Sequence, residues 1–135
     1  MRVREAMTKQ VEVTSPTATL EQAAQQMKRT NVGALPVCEG DRLVGMLTDR
    51  DIVVKCLAEG GDPATTTAGS LGEGKPVTIG ADDDIREALQ TMQDHQVRRL
   101  PVIDGHDLVG IISQADIARS LSSAETGETV EEISE

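Results

Sequence analysis

Apolar residues follow a helical spacing in two segments that lie 65 positions apart. In each segment four apolar residues stand at i, i+3, i+4 and i+7, which predicts one buried face of an amphipathic helix. The two sets are Leu20, Ala23, Ala24 and Met27, and Ile85, Ala88, Leu89 and Met92. Thr19 with Gln22 is a capping-box pattern before the first helix, and Asp84 is followed by Glu87 at the same spacing before the second. We therefore predict two equivalent helices.

Short apolar runs bounded by turn residues predict strands on both sides of these helices. Asp104-Gly105 between two such runs is a strong hairpin signal, and Pro36 indicates an edge or strand-entry position. A second helix is expected after each hairpin, and the first of these stops at Gly60-Gly61. Residues 58–75, which are rich in small residues and turn formers, are expected to link the two copies. The predicted strands are 11–14, 35–37 and 43–47 in one copy, and 77–79, 100–103 and 108–112 in the other.

The two copies form one repeated unit. Residues 32–52 align without gaps on residues 97–117 and are identical at ten of 21 positions, whereas average composition would give about one or two. A single copy with three strands is marginal alone. We therefore predict an α+β fold of two β-α-β-β-α repeats, residues 1–61 and 62–123 (the latter including a linker), packed through their sheets with pseudo-twofold symmetry. Such packing would leave two equivalent clefts between the repeats.

Composition narrows the classes of function. The net charge is −10, from 13 basic and 23 acidic residues, and five of the acids lie in the last eleven residues. Residues 124–135 are therefore expected to be a disordered acidic tail. The chain has no Phe, Tyr or Trp, so it lacks the stacking residues of nucleic-acid-binding proteins. Because it is acidic, it also lacks their basic surface. No apolar run approaches the roughly 18 residues that span a membrane, and a cytoplasmic location is expected.

Two equivalent motifs carry the candidate chemistry. "GMLTDRD" ends in Thr48-x-x-Asp51, and "GIISQAD" ends in Ser113-x-x-Asp116, each between a strand and a helix. One interpretation is a simple helix cap with the acid at the third helical position. The other is a ligand site, because a carboxylate accepts both hydrogen bonds of a vicinal diol and a helix start favours an anion. The two roles can coexist.

With these residues in place, "LPVCEGDRLVGMLTDRDI" and "LPVIDGHDLVGIISQADI" resemble the two halves of a cystathionine-β-synthase (CBS) domain pair, or Bateman module. The resemblance covers about residues 1–123 and extends to small stand-alone bacterial pairs, including the mycobacterial hypoxic response type. It implies binding of AMP, ADP, ATP or S-adenosylmethionine, with or without Mg²⁺, in the clefts between the repeats. Asp51 and Asp116 would then accept hydrogen bonds from ribose, and Thr48 and Ser113 would contact phosphate. Residues around the base would be Val13, Thr14, Ala34, Pro36, Thr78, Ile79 and Pro101.

The second copy also carries arginines at its candidate site. Arg98 and Arg99 replace Gly33 and Ala34 of the first copy, and Arg119 follows Asp116 by three residues. We hypothesise that a phosphorylated ligand prefers the cleft with Ser113 and Asp116. The alternative is that these are surface arginines in weak ion pairs.

No pattern in the chain predicts catalysis or a metal site. It lacks a nucleophile-and-base pattern and a phosphate-binding glycine loop, and His95 and His106 lack zinc-ligand spacing. Cys38 and Cys56 are expected to be small buried hydrophobic residues.

Two functions remain open. One is a nucleotide sensor that signals to a regulated protein, and the other is a ligand-free dimeric interaction or stress-response protein with empty clefts. Both predict a homodimer, with a helix-to-helix contact formed by Ile52, Val53, Val54 and Leu57.

Overall fold

The structure is a computed structural model that describes residues 1–72 and 76–122. Its mixture of helices and strands confirms the α+β class. The elements are α1 (Val3–Ala6), α2 (Leu20–Thr30), β1 (Ala34–Glu39), β2 (Arg42–Thr48), α3 (Asp49–Asp51) with its π-helical continuation (Ile52–Leu57), α4 (Ala68–Leu71), β3 (Ile79–Gly80), α5 (Ile85–His95), β4 (Arg99–Asp104), β5 (Asp107–Ser113) and α6 (114–122). The predicted acidic tail, residues 124–135, lies outside the described residues.

The chain divides into two compact units that do not follow chain order. The first unit contains Val11–Pro76 and His106–Leu108. The second unit contains Met1–Gln10, Val77–Gly105 and the chain from Val109 onward. The repeat boundaries 1–61 and 62–123 stay a prediction about the sequence.

The first unit is built on the predicted hairpin and helix. β1 and β2 pair antiparallel from Ala34↔Thr48 to Glu39↔Arg42. Thr19 caps α2 as predicted, because its Oγ1 accepts the Gln22 N–H at 3.1 Å and its own N–H donates to Gln22 Oε1 at 3.0 Å. The core of the unit consists of Leu20, Ala23, Met27, Leu35, Val37, Leu47, Ile52, Cys56 and Ala68.

The second unit repeats this arrangement. Asp84 caps α5 as predicted, and its carboxylate accepts the Arg86 N–H at 2.8 Å. β4 lies between β5 and the short parallel strand β3, and the turn between β4 and β5 contains Gly105 at φ 66°. The core of the unit consists of Val3, Ile79, Ala81, Ile85, Ala88, Met92, Leu100, Val102, Ile112 and Ile117.

The strands before the helices are shorter than predicted. In the first unit only Thr14 pairs, in an isolated parallel bridge with Val37, so the predicted strand 11–14 is wrong. Its N–H donates to Pro36 O and its carbonyl accepts the Cys38 N–H, both at 2.9 Å. Continuing toward Glu12 would require an N–H on Pro36, which proline lacks. Pro101 ends the second ladder in the same way, so β3 begins at Ile79 instead of residue 77.

Each of the two short helices packs in the unit that is built mainly from the other repeat. α1 and α4 are 65 positions apart, yet α1 packs in the second unit and α4 in the first. Their hydrogen bonds are equivalent: Val3 N–H donates to Asp83 O, and Ala68 N–H donates to Ala18 O, both at 2.8 Å. The predicted linker 58–75 therefore carries a structural element of the first unit, while its residues 73–75 lie outside the described range.

The helix after β2 presents a mixed surface. Val53, Val54 and Leu57 are 56%, 43% and 51% exposed. The prediction that Ile52 belongs to the same exposed face is wrong, because Ile52 is only 7% exposed and packs in the core of the first unit. In the part of the chain that the structure describes, no helix is long and apolar enough to cross a bilayer.

Candidate functional site

The two hydroxyl–aspartate motifs form equivalent junctions between a strand and a helix. Thr48 ends β2, its Oγ1 accepts the Asp51 N–H at 3.0 Å, and Asp51 Oδ2 accepts the Thr48 N–H at 3.0 Å. Ser113 ends β5 and makes the same pair of bonds with Asp116, at 3.0 and 2.9 Å. The capping interpretation is therefore confirmed at both junctions. The reciprocal bonds also fix the position of each carboxylate.

The segment before each hairpin contacts its junction. The Asp49 N–H donates to Gly33 O at 2.9 Å in the first unit, and the Gln114 N–H donates to Arg98 O at 2.8 Å in the second. These bonds satisfy one free N–H at each helix start. They also place Gly33 and its counterpart Arg98, which differ between the two copies, directly beside the junctions.

The second oxygen of each carboxylate is held by a cation from the following helical turn. Asp51 Oδ1 lies 3.2 Å from Lys55 Nζ, and Asp116 Oδ1 pairs with a guanidinium nitrogen of Arg119. The aspartate side chains are 20% and 9% exposed, whereas the Lys55 and Arg119 side chains are 56% and 76% exposed. Each cation therefore lies on the solvent side of a mostly buried carboxylate. Lys55 was not among the site residues predicted from the sequence, although its i, i+4 spacing from Asp51 is a recognisable signal.

The carboxylate of Asp51 is ionised at neutral pH. Burial alone would raise its pKa, but the hydrogen bonds with Thr48 and the contact with Lys55 outweigh burial and lower the pKa from its ordinary value. An ionised carboxylate is an acceptor only, with lone pairs left beyond the two bonds just described.

Charge distinguishes the two junctions. In the first, the Asp49 carboxylate lies against Gly33, where an added Cβ would come within 3.1 Å of Asp49 Oδ2. In the second, Gln114 occupies the position of Asp49, and the exposed Arg98 and Arg99 occupy the positions of Gly33 and Ala34. The first junction thus has one additional acidic side chain, and the second has two additional arginines.

The predicted site residues divide between the two units. Val13, Thr14, Ala34, Pro36, Thr48 and Asp51 lie in the first unit, and Thr78, Ile79, Arg98, Arg99, Pro101, Ser113 and Asp116 lie in the second. Ala34 pairs directly with Thr48 across the hairpin. The side chains of Pro36, Ile79 and Pro101 are buried, whereas Val13 is 40% exposed and Thr78 is half-buried. Which of these residues contact a base stays a prediction.

The cysteines are buried and free, as predicted. Cys38 is 6% exposed and Cys56 is 2% exposed, and neither forms a disulfide. Burial, with a smaller contribution from Asp41, raises the pKa of the Cys38 thiol and makes it less reactive. Among residues 1–72 and 76–122, no group of three or more His, Cys, Asp or Glu side chains is placed to hold a metal ion.

Comparisons with known proteins give three similarities and one family match. The model of the CBS domain matches residues 3–57 and 69–123. Hypoxic response protein 1 of Mycobacterium tuberculosis is 56% identical over 104 residues, which are 76% of this chain and 73% of that protein. The crystal structure of Hypoxic Response Protein I with two coordinated zinc ions has a TM-score of 0.84 and 50% identity, over 89% of this chain and 98% of that chain. CBSX2 in complex with AMP has a TM-score of 0.80 over 92% of this chain and 98% of that chain, and its 22% identity shows the fold alone.

Proposed function

Because the chain belongs to the CBS domain family, we propose that it is a regulatory module that binds an adenosine-containing nucleotide and signals to a protein partner. Pairs of CBS domains are generally regulatory, non-catalytic modules that commonly bind adenosine ligands. The observation that carries the proposal is the duplicated junction, in which a buried or half-buried carboxylate is fixed one helical turn after a hydroxyl.

The atoms at each junction suit the two ends of such a ligand. Beyond the cap, the carboxylate oxygens of Asp51 and Asp116 keep lone pairs that can accept the hydroxyl protons of a ribose diol. The hydroxyls of Thr48 and Ser113 accept a backbone N–H in the cap, so each keeps its own proton as a donor toward phosphate. AMP, ADP, ATP and S-adenosylmethionine, with or without Mg²⁺, share this adenosyl group. CBSX2 shares this fold and was crystallised in complex with AMP, so the fold is compatible with an adenosyl ligand.

A phosphorylated ligand should prefer the second junction. Arg98 and Arg99 lie beside Ser113 and Asp116, whereas Asp49 lies beside Thr48 and Asp51. A phosphate is attracted by the arginines and repelled by the additional acid.

The proposal is tested by ligand binding to the purified protein. AMP, ADP, ATP or S-adenosylmethionine should raise the melting temperature in a concentration-dependent way. In calorimetry Asp116→Asn should weaken AMP binding by about tenfold or more, because asparagine can still cap Ser113 but presents an amide donor to the diol. Asp51→Asn is the matched variant and should have a smaller effect. Equal losses would contradict the preference, and no binding of any of the four at millimolar concentration would contradict the proposed function.

The exposed helix of the first unit favours a second candidate function. Val53, Val54 and Leu57 form an apolar surface that suits contact with a second copy of the chain. Under this alternative the protein is a dimeric interaction or stress-response protein without a ligand. The name of Hypoxic response protein 1 fits this class. The absence of adenosyl binding together with a stable dimer would favour it.

A further inference from the structure

Both junctions place a cation on the same carboxylate oxygen, but with different residues. Asp51 and Asp116 each use Oδ2 for the cap and Oδ1 for the cation. Lys55 follows its aspartate by four positions and Arg119 by three, so repetition of the sequence does not account for the pairing. Arg119 corresponds to Val54 in the first copy, and Lys55 corresponds to Ser120 in the second. Two unrelated positions thus supply one equivalent contact.

The ion pairs are placed so that they can exchange partners. Lys55 and Arg119 are more than half exposed, while their aspartates are largely buried. An ion pair with an exposed cation contributes little to folding stability. The long side chains can therefore leave the carboxylate without loss of the cap, which is made by the other oxygen.

We propose that Lys55 and Arg119 determine the specificity of the two junctions for phosphorylated ligands over uncharged nucleosides. This inference rests on the proposed function, because it assumes that each aspartate accepts the ligand's ribose diol. Oδ2 already accepts the cap bond, so a diol that donates both of its protons to the carboxylate must share Oδ1 with the cation, and the ion pair is weakened. An uncharged nucleoside offers the displaced cation no new partner. A nucleotide offers it a phosphate, and a charge-assisted hydrogen bond to phosphate replaces the one that was lost.

The exchange differs in detail between the junctions. The guanidinium of Arg119 can form paired hydrogen bonds to phosphate, whereas the ammonium of Lys55 acts as a point charge. Arg98 adds a second cation beside the Arg119 junction, but Asp49 lies beside the Lys55 junction. Discrimination between nucleotide and nucleoside should therefore be larger at the second junction.

The test compares adenosine with AMP in calorimetry on the full chain. In the double variant Lys55→Gln and Arg119→Gln, the ratio of AMP affinity to adenosine affinity should fall about tenfold, the equivalent of one charge-assisted hydrogen bond. Adenosine affinity itself should rise, because its competitor is gone. Lys28→Gln and Arg29→Gln are the control pair, since they remove the same charges from exposed positions at the end of α2. The controls should leave the ratio unchanged.

The outcomes separate the inference from the function on which it rests. If the original protein binds neither adenosine nor AMP, the proposed function is refuted and this inference with it. If the protein binds AMP but the ratio is unchanged in the double variant, or falls equally in the control pair, only the inference is overturned. The single variants assign the effect to one junction. A fall in the ratio of AMP affinity to adenosine affinity that is confined to Arg119→Gln supports the inference at the second junction and overturns it at the first.

Discussion

Gly45 and Gly110 lie at equivalent positions of β2 and β5, and each is covered by the end of a short helix. A Cβ on Gly45 would collide with the backbone carbonyl of Gly72, directly after α4. A Cβ on Gly110 would lie 2.6 Å from Met7 Sδ and 2.7 Å from Thr8 O, directly after α1. Close approach of two backbones therefore requires glycine at both positions. The repeat shows that both equivalent positions are glycine, but it does not show which segment of the chain covers them.

We expect Gly45→Ala to destabilise the protein by about 2 kcal/mol, because a backbone carbonyl must move to admit the methyl group. Gly40→Ala is the control. Gly40 has φ 59° but nothing within 4 Å of an added Cβ, so only the backbone strain of about 1 kcal/mol should appear. Urea unfolding of both variants measures the two costs. A loss at Gly45 no greater than that at Gly40 would show that the covering segment yields easily.

At the scale of elements, α1 and α4 depend on packing for their existence. Each is four residues long, far below the length at which an isolated helix is stable in water. Val3 and Ala68 are nevertheless fully buried, each in the core of one unit. The N-terminal segment is therefore part of the second core, although it precedes the first hairpin in the sequence.

We expect Val3→Ala to cost about 2 kcal/mol of stability, since it removes two methyl groups from a closed core. Val13→Ala makes the same chemical change ten positions later at a side chain that is 40% exposed, and should cost less than about 0.5 kcal/mol. The two midpoints in urea can be compared directly. Equal effects would indicate that α1 contributes no core contacts in solution.

At the scale of the whole molecule, the exposed apolar residues predict self-association. Proteins of this family form oligomers. Val53, Val54 and Leu57 are large apolar side chains on one helix of an acidic chain. Burying them against a second copy would remove apolar surface from water twice in a symmetric contact.

We predict that sedimentation equilibrium gives twice the 14.4 kDa mass of one chain, and that Val53→Glu with Leu57→Glu gives the mass of one chain. The added charges would be desolvated and would repel each other across the symmetric contact. Val13→Glu, another exposed valine outside this helix, is the control and should leave the dimer intact. A dimer that persists in the double variant would place the interface elsewhere.

Several features were predictable because neighbouring residues encode them. The stripes of α2 and α5, the caps at Thr19 and Asp84, and the Asp104-Gly105 turn depend on spacings of a few residues. The hydroxyl–aspartate pairs formed caps for the same reason. Even the shortened strands had a local signal, because proline at positions 36 and 101 removes a donor from the ladder.

The sequence by itself thus determined the duplication, the α+β class and the residues of both junctions, since these follow from local periodicity and from comparison of the two copies. The tertiary structure alone decided which unit receives α1 and α4 and that Ile52 is buried. These outcomes depend on which distant segments meet and on which rotamers their packing permits. Neither the contacts between distant segments nor these rotamers can be read from spacings of a few residues along the chain.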